Sequence, residues 1–269
     1  MSRTSLVAAG SLAALGLLAA ATYQLTRDPS PDRPLVVYCA ASTRLPMEAA
    51  ARDYPAAGGR RVELRFGASE DLLTKADTTA PGDPADIFLP ADESYVRLAR
   101  DRGLVAGSVP VATMRAVVLT GRGNPTGLAA WADLLRDGTR VAVANPAAAV
   151  GKLARDHLAA TGRWDALRPH VIDAGTVTEA ANAAKIGSVD AAIVWDPVAA
   201  AYPGQTILTL PELAGVTARV EAAVLTQSAD PDAARRFVEY LTAPAGGLAH
   251  FRAAGFRVVE PAPHTRGAK

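Results

Sequence analysis

From residue 35 onward, short runs rich in β-branched and aromatic residues alternate with amphipathic stretches of helical spacing, and the alternation persists through most of the chain. A chain of this rhythm builds parallel sheets covered by helices, an α/β fold. The spacing predicts strands at 35–39, 62–66, 86–89, 140–144 and 191–195. It predicts helices at 46–54, 71–78, 93–102, 151–161 and 178–186. With 269 residues, 49% of them hydrophobic and 20% charged, there is enough apolar material for a substantial core.

One break in the rhythm bears on topology. Residues 112–120 and 220–226 read as isolated apolar strands far apart in sequence, the arrangement expected of a hinge crossed twice. On that reading lobe one comprises 35–114 and 222–262, and lobe two comprises 115–221. The crossings fall near Met114 and Val224, and the helical stretch 232–241 completes lobe one. A single larger doubly wound sheet is the alternative. Residues 263–269 form a C-terminal tail. At the other end, 1–27 combine Arg3, an apolar run from Leu6 to about Thr22 and small residues at 19–21, the order of a signal peptide. Counted to Leu25 the run could also serve as an N-terminal anchor. The proline-rich stretch 28–34 reads as a linker. The expected location is the periplasm or extracytoplasmic face, with membrane contact only through the N-terminal segment.

Charge and cysteine content narrow the function. The 28 Lys and Arg balance 27 Asp and Glu, so there is no basic field to gather nucleic acid. Cys39 is the only cysteine, which excludes an intrachain disulfide and a cysteine metal cluster; it reads as a small buried residue.

The loops that follow the strands are small and neutral: Ala40-Ala41-Ser42-Thr43, Gly67-Ala68-Ser69, and Asn145-Pro146 through Gly151. Each leads into a helix. A helix N-terminus offers unpaired N–H groups and the positive end of the helix dipole, so several aimed at one point make an anion site without a full charge. Ser42 and Ser69 would add hydroxyl donors, although each taken singly also fits ordinary N-capping. No nucleophile in these loops has a base beside it in the sequence pattern. His157 lies in a helical stretch, His170 in a strand, and His250 and His264 near the C-terminal end. The chain is therefore not expected to be an enzyme or to carry a cofactor. A phosphate-cradling Gly-x-x-x-x-Gly-Lys-Ser/Thr motif is absent as well.

Several segments in order carry a resemblance: Tyr38-Cys39-Ala40-Ala41-Ser42, Phe66-Gly67-Ala68-Ser69, the run Pro84 to Asp92, Val141 to Pro146, and Asp190 to Trp195. From about Leu35 to Phe256 the chain resembles the periplasmic molybdate-binding proteins of the type 2 solute-binding superfamily. The resemblance implies a two-lobed type 2 periplasmic-binding-protein fold with two hinge crossings. It also implies a monomer that captures molybdate or tungstate and delivers it to an ABC permease and its ATPase. By the same resemblance Ser42 and Ser69 look like donors from lobe one, and Val150 (or Ala149) and Val177 like backbone N–H donors from lobe two. Trp195 stands where the family usually has a tyrosine whose hydroxyl reaches the anion. No metal-ion site is implied; the metal arrives as its oxyanion. Two departures from the family pattern matter: Glu70-Asp71 after Ser69, and Asp196 after Trp195. Carboxylates turned inward would repel a dianion or alter its selectivity. Other readings remain: a binder of sulfate or phosphate, or an anchored receptor that senses ligand without transport.

Overall fold

A computed structural model describes residues 33–78 and 84–260. The expected export segment 1–27, most of the linker and the tail 263–269 lie outside the described residues. Among those described, no helix is long and apolar enough to cross a membrane.

The first half of the chain alternates β1 (Leu35–Ala40), α1 (Arg44–Asp53), β2 (Val62–Gly67), α2 (Ser69–Thr78), β3 (Ile87–Leu89) and α3 (Glu93–Asp101). All six residues of β1 are buried, as a central strand with helices on both faces requires. β1 pairs in parallel with β2 on one side and β3 on the other. The return by a helix after each strand makes that direction possible. Asp86, fully buried just before β3, holds this sheet to its surroundings: its carboxylate accepts from Val36 N (2.9 Å) and from Ser228 Oγ (2.7 Å).

A long strand, β4 (Val105–Arg122), carries the chain onward. After it come β5 (Val141–Ala144), α4 (Ala149–Ala160), α5 (Trp164–Leu167), β6 (Val171–Ala174), α6 (Val177–Lys185), β7 (Ala191–Trp195), α7 (Asp196–Ala200) and β8 (Gln205–Leu208). β5 lies parallel to β6 and β7 and forms the second sheet's buried centre. The chain then runs through β9 (Thr217–Leu225), α8 (Pro231–Thr242), α9 (Gly247–Ala253) and β10 (Arg257–Val258).

The architecture is the expected two-lobed α/β one, and β4 is the element common to both lobes. Val105 to Arg115 pair with β9, while Ala116 to Thr120 pair with β7. Strand pairing is thus continuous from β2 through β4 to β6, but β4 changes partners between Arg115 and Ala116. That change lies next to the crossing expected near Met114. The return was expected near Val224, yet β9 is paired with lobe-one strands from Thr217 onward, and Ala116 N donates to Val216 O at 2.8 Å. The pairing of β9 with β4 thus begins at Thr217, ahead of Val224. Thr217 and Arg219 are exposed while Ala218 and Val220 are buried. Such half-buried alternation hides a strand start inside an apparently polar loop. His170 lies in the short turn Arg168–His170 just ahead of β6, not within a strand.

Candidate functional site

The ends of β1, β2, β5 and β7 face one small cavity between the lobes. Its wall includes Ala41, Ser42, Gly67, Ala68, Ser69, Ala91, Ala148, Ala149, Val150, Thr176, Val177 and Trp195. The volume is about 10 Å³, against the roughly 300–1,000 Å³ of pockets that take drug-sized organic ligands. That is about the least space that admits one water molecule, so a larger ligand enters only as the lobes part. Glu70 N donates across the interlobe gap to Ala147 O at 3.0 Å, so the lobes meet directly beside the cavity.

Four helix starts border it. After β1, a single tight turn, Ala41–Thr43, precedes α1. Thr43 Oγ1 donates back to Ala40 O at 2.8 Å and fixes that turn. Ser42 is 7% exposed, and its Oγ has no hydrogen-bond partner among the described residues. Leaving a buried hydroxyl unsatisfied costs about 1–3 kcal/mol, a cost that an acceptor in the cavity would remove. Ser69 opens α2 and is 1% exposed. Its Oγ accepts from Ala91 N at 3.1 Å, which leaves its own O–H free to donate.

On the lobe-two side, Asn145 and Pro146 make the turn into α4. Asn145 Oδ1 accepts from Ala147 N (3.0 Å) and Asn145 O accepts from Ala148 N (3.1 Å). The α4 cap, Ala148, supplies no side-chain acceptor. The N–H groups of Ala149 and Val150 accordingly meet no acceptor among the described residues. Gly151 permits this approach: a Cβ there would sit 2.1 Å from Ala144 O and 2.2 Å from Asn145 O. At α6, Thr176 Oγ1 accepts from Glu179 N (3.2 Å), and the Glu179 carboxylate accepts from Gly175 N (2.9 Å). Those bonds set the cap and leave the Val177 N–H at the cavity wall. Each of these four helices is at least nine residues long, so each brings the positive end of its dipole. Among the described residues the cavity wall contains no charged side chain. Its chemistry is that of a neutral donor cluster, suited to an anion that accepts on every side.

All five residues expected at the site, Ser42, Ser69, Val150, Val177 and Trp195, line this one cavity, with Ala149 beside Val150. Trp195 is 1% exposed and ends β7 opposite Ala116, where β4 changes lobes. It contributes to the wall and to the core at once. Ala91 and Thr176 were not anticipated. Ala91 leaves no side-chain signal, whereas Thr176-Val177-Thr178-Glu179 carries a helix-start signature that marks the N-terminus of α6.

The three carboxylates of concern face elsewhere. Glu70 and Asp71 are exposed in the first turn of α2, where negative charge suits the dipole. Asp196 points to the hinge, accepting from Arg115 N (3.0 Å) and pairing with Arg257 (3.0 Å) and with the Arg115 side chain (3.5 Å). Cys39 is fully buried and burial pushes its thiol far up, so it takes no part in thiolate chemistry. His157 packs against the turn at Glu212 through a 3.1 Å contact to its carbonyl oxygen. Among the described residues no group of His, Cys, Asp and Glu could hold a metal ion.

The sequence matches the profile of the bacterial extracellular solute-binding proteins over residues 35–257. It is 33% identical to the molybdate-binding protein ModA of Mycobacterium tuberculosis over 217 residues, 80% of this chain and 81% of the relative. Among solved structures, the periplasmic molybdate-binding protein of Azotobacter vinelandii superposes with a TM-score of 0.70 at 22% identity, covering 85% of this chain and 100% of the other. The sulfate-binding protein SubI of Mycobacterium tuberculosis gives the same TM-score at 21% identity, covering 85% and 88%. These two structures share the fold.

Proposed function

Since the chain belongs to the bacterial extracellular solute-binding proteins, we propose that it is the molybdate-capturing component of an ABC importer, exported through residues 1–27. The oxyanion would sit between the lobes. Ser42 and Ser69 hydroxyls would hold it from one side, and the N–H groups of Val150 (with Ala149) and Val177 from the other. Trp195 would close the hinge side. Delivery to a permease and its ATPase then follows from lobe opening, with no covalent step and no catalytic residue.

One observation supports this reading above the rest: the Ser42 hydroxyl is buried beside a donor-lined cavity and has no partner. The cavity wall has donors without a carboxylate acceptor among the described residues. That set favours a fully deprotonated tetrahedral dianion over hydrogen phosphate, whose proton needs an acceptor. Molybdate and tungstate, the larger tetrahedra, span the donors of both lobes better than sulfate does. Tungstate is expected to behave as molybdate does.

A thermal-shift panel of molybdate, tungstate, sulfate and phosphate tests the assignment. At about 100 times its Kd, a specific ligand adds roughly 2.7 kcal/mol of stability. For a domain of this size that is a shift of about 5–10 °C. Molybdate and tungstate are expected to reach it, sulfate to give a smaller shift, and phosphate none. A larger shift with sulfate would reassign the ligand. No shift with any of the four would remove the oxyanion reading.

A further inference from the structure

A second cavity, of about 750 Å³, lies beside the first, and Ala41 and Ser42 border both. Its walls come from the two lobes: Arg44, Leu45 and Phe256 on one side, Arg122, Lys185 and Tyr202 on the other. A tetrahedral oxyanion would be lost in this volume, which falls in the range that holds small organic molecules.

The wall has a consistent chemistry. It carries three cations, Arg44, Arg122 and Lys185, and no carboxylate among the described lining residues. Arg44 is already engaged with Glu48 at 3.1 Å and lies over the Phe66 ring at 4.0 Å. Arg122 and Lys185 have no ion pair with a described carboxylate, in a protein where most arginines do. Tyr202 donates its hydroxyl hydrogen to Asn182 Oδ1 at 2.9 Å, which leaves the Asn182 amide N–H groups to donate into the same space. Between these polar groups the wall is apolar, and Leu45 is 52% exposed there. Lys185 Nζ lies 5.8 Å from the centre of the Tyr202 ring; two cations free of a described carboxylate, beside uncovered apolar surface, suit an amphipathic anion.

We propose that this groove is a second ligand site, for an organic phosphate monoester with an apolar body. Its phosphate is held by Arg122 and Lys185, and its body lies against Leu45 and Phe256. Because the walls belong to both lobes, the site is complete only when the lobes are closed. Its occupancy and that of the oxyanion cavity therefore favour each other, by the reciprocity of linked binding.

Phenyl phosphate is a suitable probe, titrated calorimetrically into the full chain with and without saturating molybdate. The proposal expects one site with a Kd of about 1 mM or tighter at low ionic strength. Binding should persist or tighten when molybdate is present. The Arg122→Gln/Lys185→Gln variant should weaken it by about tenfold or more, since both cations would contact the phosphate. In the same variant molybdate affinity should change less than about threefold, a readout that also reports correct folding. Absence of heat up to about 10 mM phenyl phosphate would overturn the proposal. So would displacement by molybdate, which would put the phosphate head in the small cavity, or equal affinity in the double variant. The titration without molybdate keeps this test separate from the identity of the oxyanion.

Discussion

Alanine at both Ser42 and Ser69 is expected to lower molybdate affinity by about 10²–10⁴-fold. A dehydrated dianion has lost its water shell and recovers that energy only from fixed donors, each charge-assisted bond contributing about 1.5–3 kcal/mol. Each single substitution should therefore cost about 10- to 100-fold, and the two together roughly the product. The two serines should differ in the ligand-free protein. Ser42 Oγ has no partner, so Ser42→Ala should leave the melting temperature unchanged or raise it. Ser69 Oγ accepts from Ala91 N, so Ser69→Ala leaves that buried N–H unpaired and should lower it by a few degrees. Calorimetric titration and thermal denaturation of the three variants measure both effects. A double variant that binds within tenfold of the parent would show that the hydroxyls do not hold the ligand.

Gly151→Ala is the second large effect, and its sign opposes the usual helix preference. In an ordinary helix, replacing glycine by alanine gains about 1 kcal/mol. Here the new Cβ would lie 2.1 Å from Ala144 O and 2.2 Å from Asn145 O, backbone atoms at the end of β5 and the turn that aims α4 at the cavity. Something must shift, and overpacking of this kind costs about 1–3 kcal/mol. The melting temperature should fall by about 3–10 °C. As α4 backs away, the Val150 N–H leaves its place at the cavity wall, and molybdate affinity should fall about tenfold or more. Denaturation curves together with titration test this. Unchanged stability with unchanged affinity would mean that the close approach of α4 to β5 is not required.

How much of this was legible in the sequence depends on where the information resides. The strand Leu35–Ala40 is buried on both faces and apolar throughout, so it reads as a strand without tertiary knowledge. The pattern shows β4 only from 112, because Gly107 and Pro110 interrupt it and the pairing with β9 shifts register at both places. The start of β9 was lost for a related reason, its first residues alternating exposed Thr217 and Arg219 with buried Ala218 and Val220.

Site residues with a polar side chain, Ser42 and Ser69, announce themselves. Donors that are backbone N–H groups do not, and Val150 and Val177 could be named only by resemblance. Ala91 escaped even that, since its contribution is an N–H bonded to Ser69 Oγ. The direction of Asp196 was equally unreadable, because it is fixed by Arg115 and Arg257, which only the folded chain brings beside it. Sequence pattern records what a side chain must be; it does not record which way three-dimensional partners turn it.

The most direct measurement is anomalous diffraction at the molybdenum absorption edge from crystals of the protein grown with molybdate. The molybdenum peak is expected between the lobes, with the oxyanion oxygens around it roughly 2.5–2.9 Å from the Ser42 and Ser69 hydroxyls and the N–H groups of Val150 and Val177. A peak elsewhere on the molecule, or an empty cavity at saturating molybdate, would contradict it.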